Sequence, residues 1–119
     1  MNLVGKRILV VEDEMLIALD TMDELKNQGC VVLGPALRLE PGLAMAREKP
    51  MDAAVLDVNL AGKLVWPLAG LLLEKHIPFV FVTGFGSSLE FPPAFASVPR
   101  LDKPIQPGAL AWALALLLS

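Results

Sequence analysis

Five nearly continuous apolar runs alternate with helical segments along the chain, and this alternation restricts the fold more than any other feature. Strands that are buried on both faces show such runs, and strands that alternate with helices form a parallel sheet covered on both faces. The sequence therefore predicts an α/β fold with a doubly wound, five-stranded parallel sheet. The predicted strands comprise residues 8–13, 30–34, 52–57, 77–83 and 98–102.

Four full helices and one short element are predicted around these strands. Segment 14–28 carries its apolar residues on one stripe and ends before Gly29. Pro67 is compatible with the third helix only in the first turn, where the missing N–H would have no partner within the helix. Segment 84–97 contains two glycines and a Pro-Pro pair, which predicts a short or irregular fourth helix. The full helices comprise residues 14–28, 39–49, 64–76 and 107–118.

The length and composition favour one domain. The 119 residues, 1–119, fit a single domain, and no separate output domain is expected. Lys and Arg number 10 against 13 Asp and Glu, and the basic residues form no cluster, which argues against nucleic-acid binding. The longest apolar stretch, 109–118, is shorter than the roughly 20 residues that cross a bilayer, so membrane insertion is not expected. The single cysteine, Cys30, cannot form an internal disulfide, which is compatible with a reducing cytoplasm.

Polar residues follow or end four of the predicted strands, where they would meet at one edge of the sheet. Phosphoryl transfer requires a nucleophile, cations and hydrogen-bond donors at such a position. Asp57 is a candidate nucleophile that could form an aspartyl-phosphate. Glu12 and Asp13 are hard oxygen ligands for Mg²⁺, and Lys103 and Thr83 supply a compact positive charge and a hydroxyl.

An acid pair, an acceptor Asp, a Thr and a Lys-Pro in this order resemble the receiver domain of two-component response regulators, and the resemblance covers essentially the whole chain. More narrowly, residues 57–62 and the Phe-Val-Thr-Gly-Phe run at 81–85 resemble the FATGUY group of stand-alone receivers of alphaproteobacteria. The resemblance implies a flavodoxin-like and CheY-like topology with strand order 2-1-3-4-5. It also implies phosphorelays with kinases of the HWE and related classes.

The resemblance assigns a role to each of the candidate residues around the acceptor. It implies that Mg²⁺ is bound directly by Asp13 and Asp57, through water by Glu12, and by the backbone carbonyl of Asn59. Thr83 would donate to the phosphoryl group. Lys103 would pair first with the acceptor carboxylate and then with a phosphoryl oxygen, and a cis Lys103–Pro104 bond would aim it.

The switch residues of the chain depart from the family pattern. Many receivers carry an aromatic residue three positions before the lysine, and Arg100 stands there instead. Leu-Ala also replaces the usual Met-Pro pair after the acceptor. We therefore expect switching to involve Thr83, Gly84, Phe85 and Arg100 together with the loop 84–97.

The last helix is apolar all round from Ala109 to Leu118, although a helix on the outside of a sheet buries only one face. One interpretation is a homodimer or partner interface. The alternative is that scattered small apolar residues are simply exposed, which is common. The expected interface residues are Leu110, Trp112, Leu114 and Leu117.

These observations predict a cytoplasmic, single-domain receiver that takes a phosphoryl group from a sensor histidine kinase or a histidine phosphotransfer protein. Its output would be partner binding or a phosphate-sink role. Only slow autodephosphorylation is expected, so the chain is not predicted to be an enzyme. One alternative is a pseudo-receiver that works through the last helix without phosphorylation. Another is a haloacid-dehalogenase-like phosphatase, which would need a second acid where Asn59 stands.

Overall fold

A five-stranded parallel sheet forms the centre of the protein, as the sequence predicted. The computed structural model describes residues 2–84 and 90–119. The sheet has the order β2-β1-β3-β6-β7, so the predicted order 2-1-3-4-5 is confirmed once two short additional strands are counted. The sheet strands are β1 (Arg7–Val11), β2 (Val31–Ala36), β3 (Ala53–Asp57), β6 (Phe79–Thr83) and β7 (Arg100–Asp102).

In the described part of the chain, four α-helices cover the two faces of the sheet. Pro67 lies in the first turn of the third helix, the one position in which it is tolerated there. Between β6 and β7, the described residues hold one 3₁₀ turn, Pro93–Phe95. No helix within residues 2–84 and 90–119 is long and apolar enough to cross a membrane. The helices are α1 (Met15–Asn27), α2 (Leu39–Glu48), α3 (Trp66–Glu74) and α4 (Ala109–Leu118).

The two additional strands form a small antiparallel hairpin that the sequence did not reveal. Strands β4 (Asn59–Leu60) and β5 (Lys63–Leu64) pair directly after β3. The turn between them has Ala61 at φ 54° and Gly62 at φ 91°, and two residues with positive φ are characteristic of tight hairpins. Because this hairpin occupies Leu64, helix α3 begins two residues later than predicted.

The core consists of two apolar layers, one on each face of the sheet. Successive residues of β6 point to opposite faces, so Phe79 and Phe81 enter one layer while Val80 and Val82 enter the other. The first layer contains a cluster of aromatic rings whose centroids lie 5.1 to 6.3 Å apart. The rings belong to Trp66, Phe79, Phe81, Phe91 and Phe95.

Two of the helices end in the same backbone motif with different residues at the critical position. After α1, Gly29 has φ +84°. After α3, the equivalent residue is His76 with φ 57°, and the N–H groups of His76 and Ile77 bond back to Leu73 and Leu72. This arrangement is the Schellman motif, in which glycine is strongly preferred. His76 therefore carries backbone strain that Gly29 avoids.

Candidate functional site

The carboxyl ends of four neighbouring strands bring the predicted polar residues to one edge of the sheet. Glu12 and Asp13 directly follow β1, and Asp57 is the last residue of β3. Thr83 ends β6, and Lys103 follows β7. Ligands bind at this edge in open parallel sheets, so the fold places these groups where a reaction can take place.

Lys103 connects two of the carboxylates. Its Nζ lies 2.8 Å from Oε1 of Glu12 and 3.3 Å from Oδ2 of Asp57, and all three side chains are largely buried. Desolvation alone would lower the pKa of this lysine. The hydrogen bond to Glu12 and the charge of Asp57 outweigh it and raise the pKa of Lys103 above the usual value. The ammonium group therefore remains charged at neutral pH.

Asp57 is held in an environment that opposes its ionisation. The residue is only 5% exposed, and Glu12 and Asp13 crowd its carboxyl group. Burial, followed by the hydrogen bonds and charge of the neighbouring acids, raises the pKa of Asp57 from 3.8 to about 8, although Lys103 acts in the opposite direction. A cation bound among the acids would remove the contribution of Glu12 and Asp13 to this shift and favour the ionised form of Asp57.

The three acids also fit a divalent metal ion. One carboxylate oxygen from each of Glu12, Asp13 and Asp57 lies within 4.8 Å of the others. Partial burial would raise the pKa of Asp13, but hydrogen bonds with Asp57 and Glu12 and with the Ala61 N–H outweigh it, so the pKa is lowered. Asp13 is thus ionised and ready to act as a ligand. Hard carboxylate oxygens of this kind are the ligands that Mg²⁺ prefers.

The hairpin after β3 completes the acidic side of the site. The Ala61 N–H donates to Oδ2 of Asp13 at 3.1 Å, and the Asn59 N–H lies 3.4 Å from Oδ1 of Asp57. The Asn59 side chain accepts a hydrogen bond from the Gly62 N–H at 2.9 Å, which fixes the turn. The structure therefore places Asn59 beside Asp57, and the hairpin also donates a hydrogen bond to Asp13.

Thr83 has a partner that the sequence did not indicate. Its hydroxyl lies 3.0 Å from Oδ1 of Asp102 on the neighbouring strand and donates to that carboxylate. The Thr83 carbonyl accepts from the Lys103 N–H at 2.9 Å, which ties the two strand ends together. Only the pairing register of β6 with β7 sets Thr83 opposite Asp102, and no local motif encodes it.

The remaining predicted switch residues lie along β7 and just beyond β6. Arg100 stacks its guanidinium group 3.5 Å from the centre of the Phe91 ring, an arrangement that stabilises a cation on an aromatic face. Gly84 is exposed, and no described residue lies within 4 Å of the place where a Cβ would stand. Phe85 lies outside the described residues. The Lys103–Pro104 peptide bond is cis, as is Gly34–Pro35.

The predicted interface on α4 needs correction. Leu110 and Leu114 are fully buried against the sheet, so they belong to the core and offer no surface to a partner. Trp112 is 63% exposed and Leu116 50% exposed, whereas Leu117 is partly buried. The exposed apolar strip of the helix is therefore centred on Trp112 and Leu116.

A cavity of about 560 Å³ opens between α1 and the chain that follows Lys103. Its lining combines apolar groups with carboxylates and reaches Lys103 itself. Oε1 of Glu24 accepts a hydrogen bond from the Gly108 N–H at 3.2 Å, and Oε2 is buried without a partner among the described residues. The cavity is lined by Glu14, Ile17, Asp20, Thr21, Glu24, Gly84, Lys103, Pro104, Ile105 and Leu110.

The sheet order and the acidic cluster at its carboxyl edge define an α/β protein with a charged site at the ends of its strands, and known proteins share this architecture. SdrG from Sphingomonas melonis Fr1, in its solution structure, has a TM-score of 0.84 and 39% identity over 100% of both chains. The BeF3-activated conformation of SdrG from Pseudomonas melonis Fr1 gives 0.79 and 38% identity over 98% of each chain. A putative response regulator from Chloroflexus aurantiacus J-10-fl gives 0.83 and 25% identity, covering 96% of this chain and 98% of that one.

Sequence comparison gives a consistent result at lower coverage. The transcriptional regulatory protein PdtaR of Mycobacterium tuberculosis is 29% identical over 83 residues, which are 69% of this chain. The chain spans about 40% of the length of these curated relatives. No protein-family model matches the chain. On its full-length similarity to SdrG and to a response regulator, the chain belongs to the receiver domains of response regulators.

Proposed function

We propose that this receiver accepts a phosphoryl group from a phosphohistidine onto Asp57. The observation that carries the proposal is Lys103, which bridges the buried Asp57 and Glu12 at the carboxyl edge of the sheet. A carboxylate oxygen of Asp57 forms the new O–P bond while the N–P bond to the imidazole breaks, and the imidazole nitrogen retains that electron pair. Lys103 then stabilises the charge on the phosphoryl oxygens.

Glu12, Asp13, Asp57 and the Asn59 carbonyl would hold Mg²⁺ in this reaction. When bound, Mg²⁺ supplies positive charge that offsets the acids and the incoming phosphoryl group. The fit of the site rests on the three clustered carboxylates. The Asn59 N–H near Asp57 provides a further donor on the hairpin side.

The cavity between α1 and Lys103 would receive the phosphodonor, a sensor histidine kinase or a histidine phosphotransfer protein. Helix α1, which lines one side of the cavity, also carries Leu16, 78% exposed, and the exposed Met15 and Leu19. This apolar surface and the buried, unpartnered oxygen of Glu24 together favour a partner helix that presents apolar residues and one basic side chain. A donor seated there would face the acceptor.

The output of the chain would be phosphorylation-dependent partner binding or service as a phosphate sink, with slow autodephosphorylation and no further enzymatic activity. Identity of 39% to SdrG, together with the Phe-Val-Thr-Gly-Phe run, supports placement in the FATGUY group and in a cytoplasmic alphaproteobacterial phosphorelay.

The exposed Trp112 favours a second candidate function, a pseudo-receiver that binds its partner or a second copy through α4 without phosphorylation.

Intact-mass measurement after incubation with Mg²⁺ and acetyl phosphate tests the two candidates. A single phosphoryl adduct that is absent in Asp57→Asn and in a chelator-treated sample supports the acceptor function. The absence of an adduct, with beryllofluoride also failing to bind, favours the pseudo-receiver. Asp52→Asn is the matched control, because Asp52 precedes the same strand at its opposite end and should leave the adduct unchanged.

A further inference from the structure

The hydroxyl of Thr83 is already engaged in the unphosphorylated protein. Thr83 ends β6 and faces Asp102 across the strand pair, with 3.0 Å between its Oγ1 and Oδ1 of Asp102. Asp102 is exposed, whereas Thr83 is buried. A threonine hydroxyl carries one hydrogen, so it donates to one acceptor at a time.

This geometry creates a competition, which rests on the proposed function. Once Asp57 carries a phosphoryl group, Thr83 would donate to one of its oxygens and would then be unable to donate to Asp102. We propose that Asp102 is a positioning residue that retains the Thr83 hydroxyl in the unphosphorylated state and thereby opposes phosphorylation of Asp57. Its carboxylate acts through Thr83 and does not contact the acceptor.

The proposal predicts a specific coupling between two residues. Removing the Asp102 carboxylate should favour the phosphorylated state in two ways: it frees the Thr83 hydroxyl, and it removes a negative charge near an anion. The charge effect persists in a chain without the hydroxyl, whereas the hydrogen-bond effect disappears. A double-mutant cycle separates the two contributions.

The test measures beryllofluoride affinity in saturating Mg²⁺ by fluorine NMR. Asp102→Ala is compared with the unmodified chain, and the comparison is repeated in the Thr83→Val background, which preserves the side-chain shape without a donor. Thr83→Ser, which keeps the hydroxyl, serves as the conservative rescue. Asp102 is exposed, and the three substitutions are small, so folded protein is expected in each case; circular dichroism verifies it.

We compare the factor by which Asp102→Ala tightens beryllofluoride binding in each background. This factor should be about tenfold larger in the Thr83 and Thr83→Ser chains, which have a hydroxyl, than in the Thr83→Val chain. The difference corresponds to the free energy of one charge-assisted hydrogen bond. An equal factor in all three backgrounds would overturn the role of Asp102 while leaving the acceptor function intact. If the unmodified chain binds no beryllofluoride, the proposed function fails and this inference fails with it.

Discussion

Replacing Asp57 with Asn should stabilise the metal-free protein at neutral pH, even though it removes the proposed phosphoryl acceptor. In the folded chain, burial and the neighbouring acids raise the pKa of Asp57 from 3.8 to about 8. A carboxyl group whose pKa is raised by folding contributes stability below its unfolded pKa and loses that contribution as pH rises towards the folded value. At pH 7, Asp57 therefore opposes folding.

The magnitude follows from linkage. Each unit of pKa shift corresponds to about 1.4 kcal/mol, so between pH 3.8 and 7 the penalty reaches about 4 kcal/mol at most. The Asn amide loses the 3.3 Å contact with Lys103 and part of the shared hydrogen bonding, which offsets about 2 kcal/mol. We therefore expect a net gain of about 2 kcal/mol at pH 7, or about 8 °C in melting temperature for a domain of this size.

Urea and thermal unfolding in the presence of a chelator, at half-unit steps from pH 5 to 8, measure this gain. It should grow with pH, because the unfolded chain releases the Asp57 proton above pH 3.8 whereas the folded chain retains it up to about pH 8. Asp52→Asn is the matched control with the opposite sign. The hydrogen bonds from the Arg7 side chain and N–H lower the pKa of Asp52, so this variant should lose about 1 kcal/mol throughout this pH range, because the loss fades only as pH falls below 3.8. An Asp57→Asn variant less stable than the parent at pH 7, or a gain independent of pH, would refute the reasoning.

Three further predictions concern other parts of the molecule. Mg²⁺ affinity should fall up to tenfold for each pH unit below about 8, because binding must release the Asp57 proton. Calorimetry in buffers of different ionisation enthalpy should detect that proton. A Mg²⁺ affinity that stays constant from pH 6 to 8 would contradict this prediction. His76→Gly should stabilise the protein by about 0.5–1 kcal/mol in urea unfolding, since φ 57° is strained for His. Gly29→Ala should instead destabilise the protein, because the added Cβ would lie 2.9 Å from Val4. Sedimentation should show self-association that Trp112→Glu abolishes without unfolding the chain, because Trp112 is 63% exposed; identical monomeric behaviour of both proteins would exclude this interface.

Much of the fold was predictable from the sequence because the strands are buried on both faces. The runs around Val55 and Val80 are apolar without interruption, and polar residues occur only where each strand leaves the core. Strand type and order therefore followed from pattern and resemblance. The hairpin at Asn59–Leu64 did not, because Ala61 supplies a positive φ without being glycine, and Leu64 continues the apolar pattern of the following helix.

The errors on α4 have a physical cause of the same kind. The helix is apolar all round, so its sequence contains no phase that distinguishes the face on the sheet from the face in solvent. Leu114 and Trp112 are only two positions apart, yet one is fully buried and the other largely exposed. Only the packing of the helix against the sheet determines that Leu114 is buried and Trp112 is exposed. The Thr83–Asp102 contact was unpredictable for a related reason, since it depends on strand register and on no local motif.

The charge balance of the site links the raised pKa of Asp57 to the proposed function. Glu12, Asp13 and Asp57 present three acids to a single lysine, so the metal-free site can be neutral only when protons remain on its carboxyl groups. A divalent cation would balance the remaining charge and allow Asp57 to ionise, which the nucleophile requires. Phosphorylation would then add negative charge beyond what that cation balances, and Lys103 and neutral donors would share in stabilising it. In that state, a hydrogen bond from the Thr83 hydroxyl would stabilise the phosphoryl group most. The hydrogen bond from Thr83 to Asp102 would therefore have its greatest effect on the phosphorylation equilibrium of Asp57.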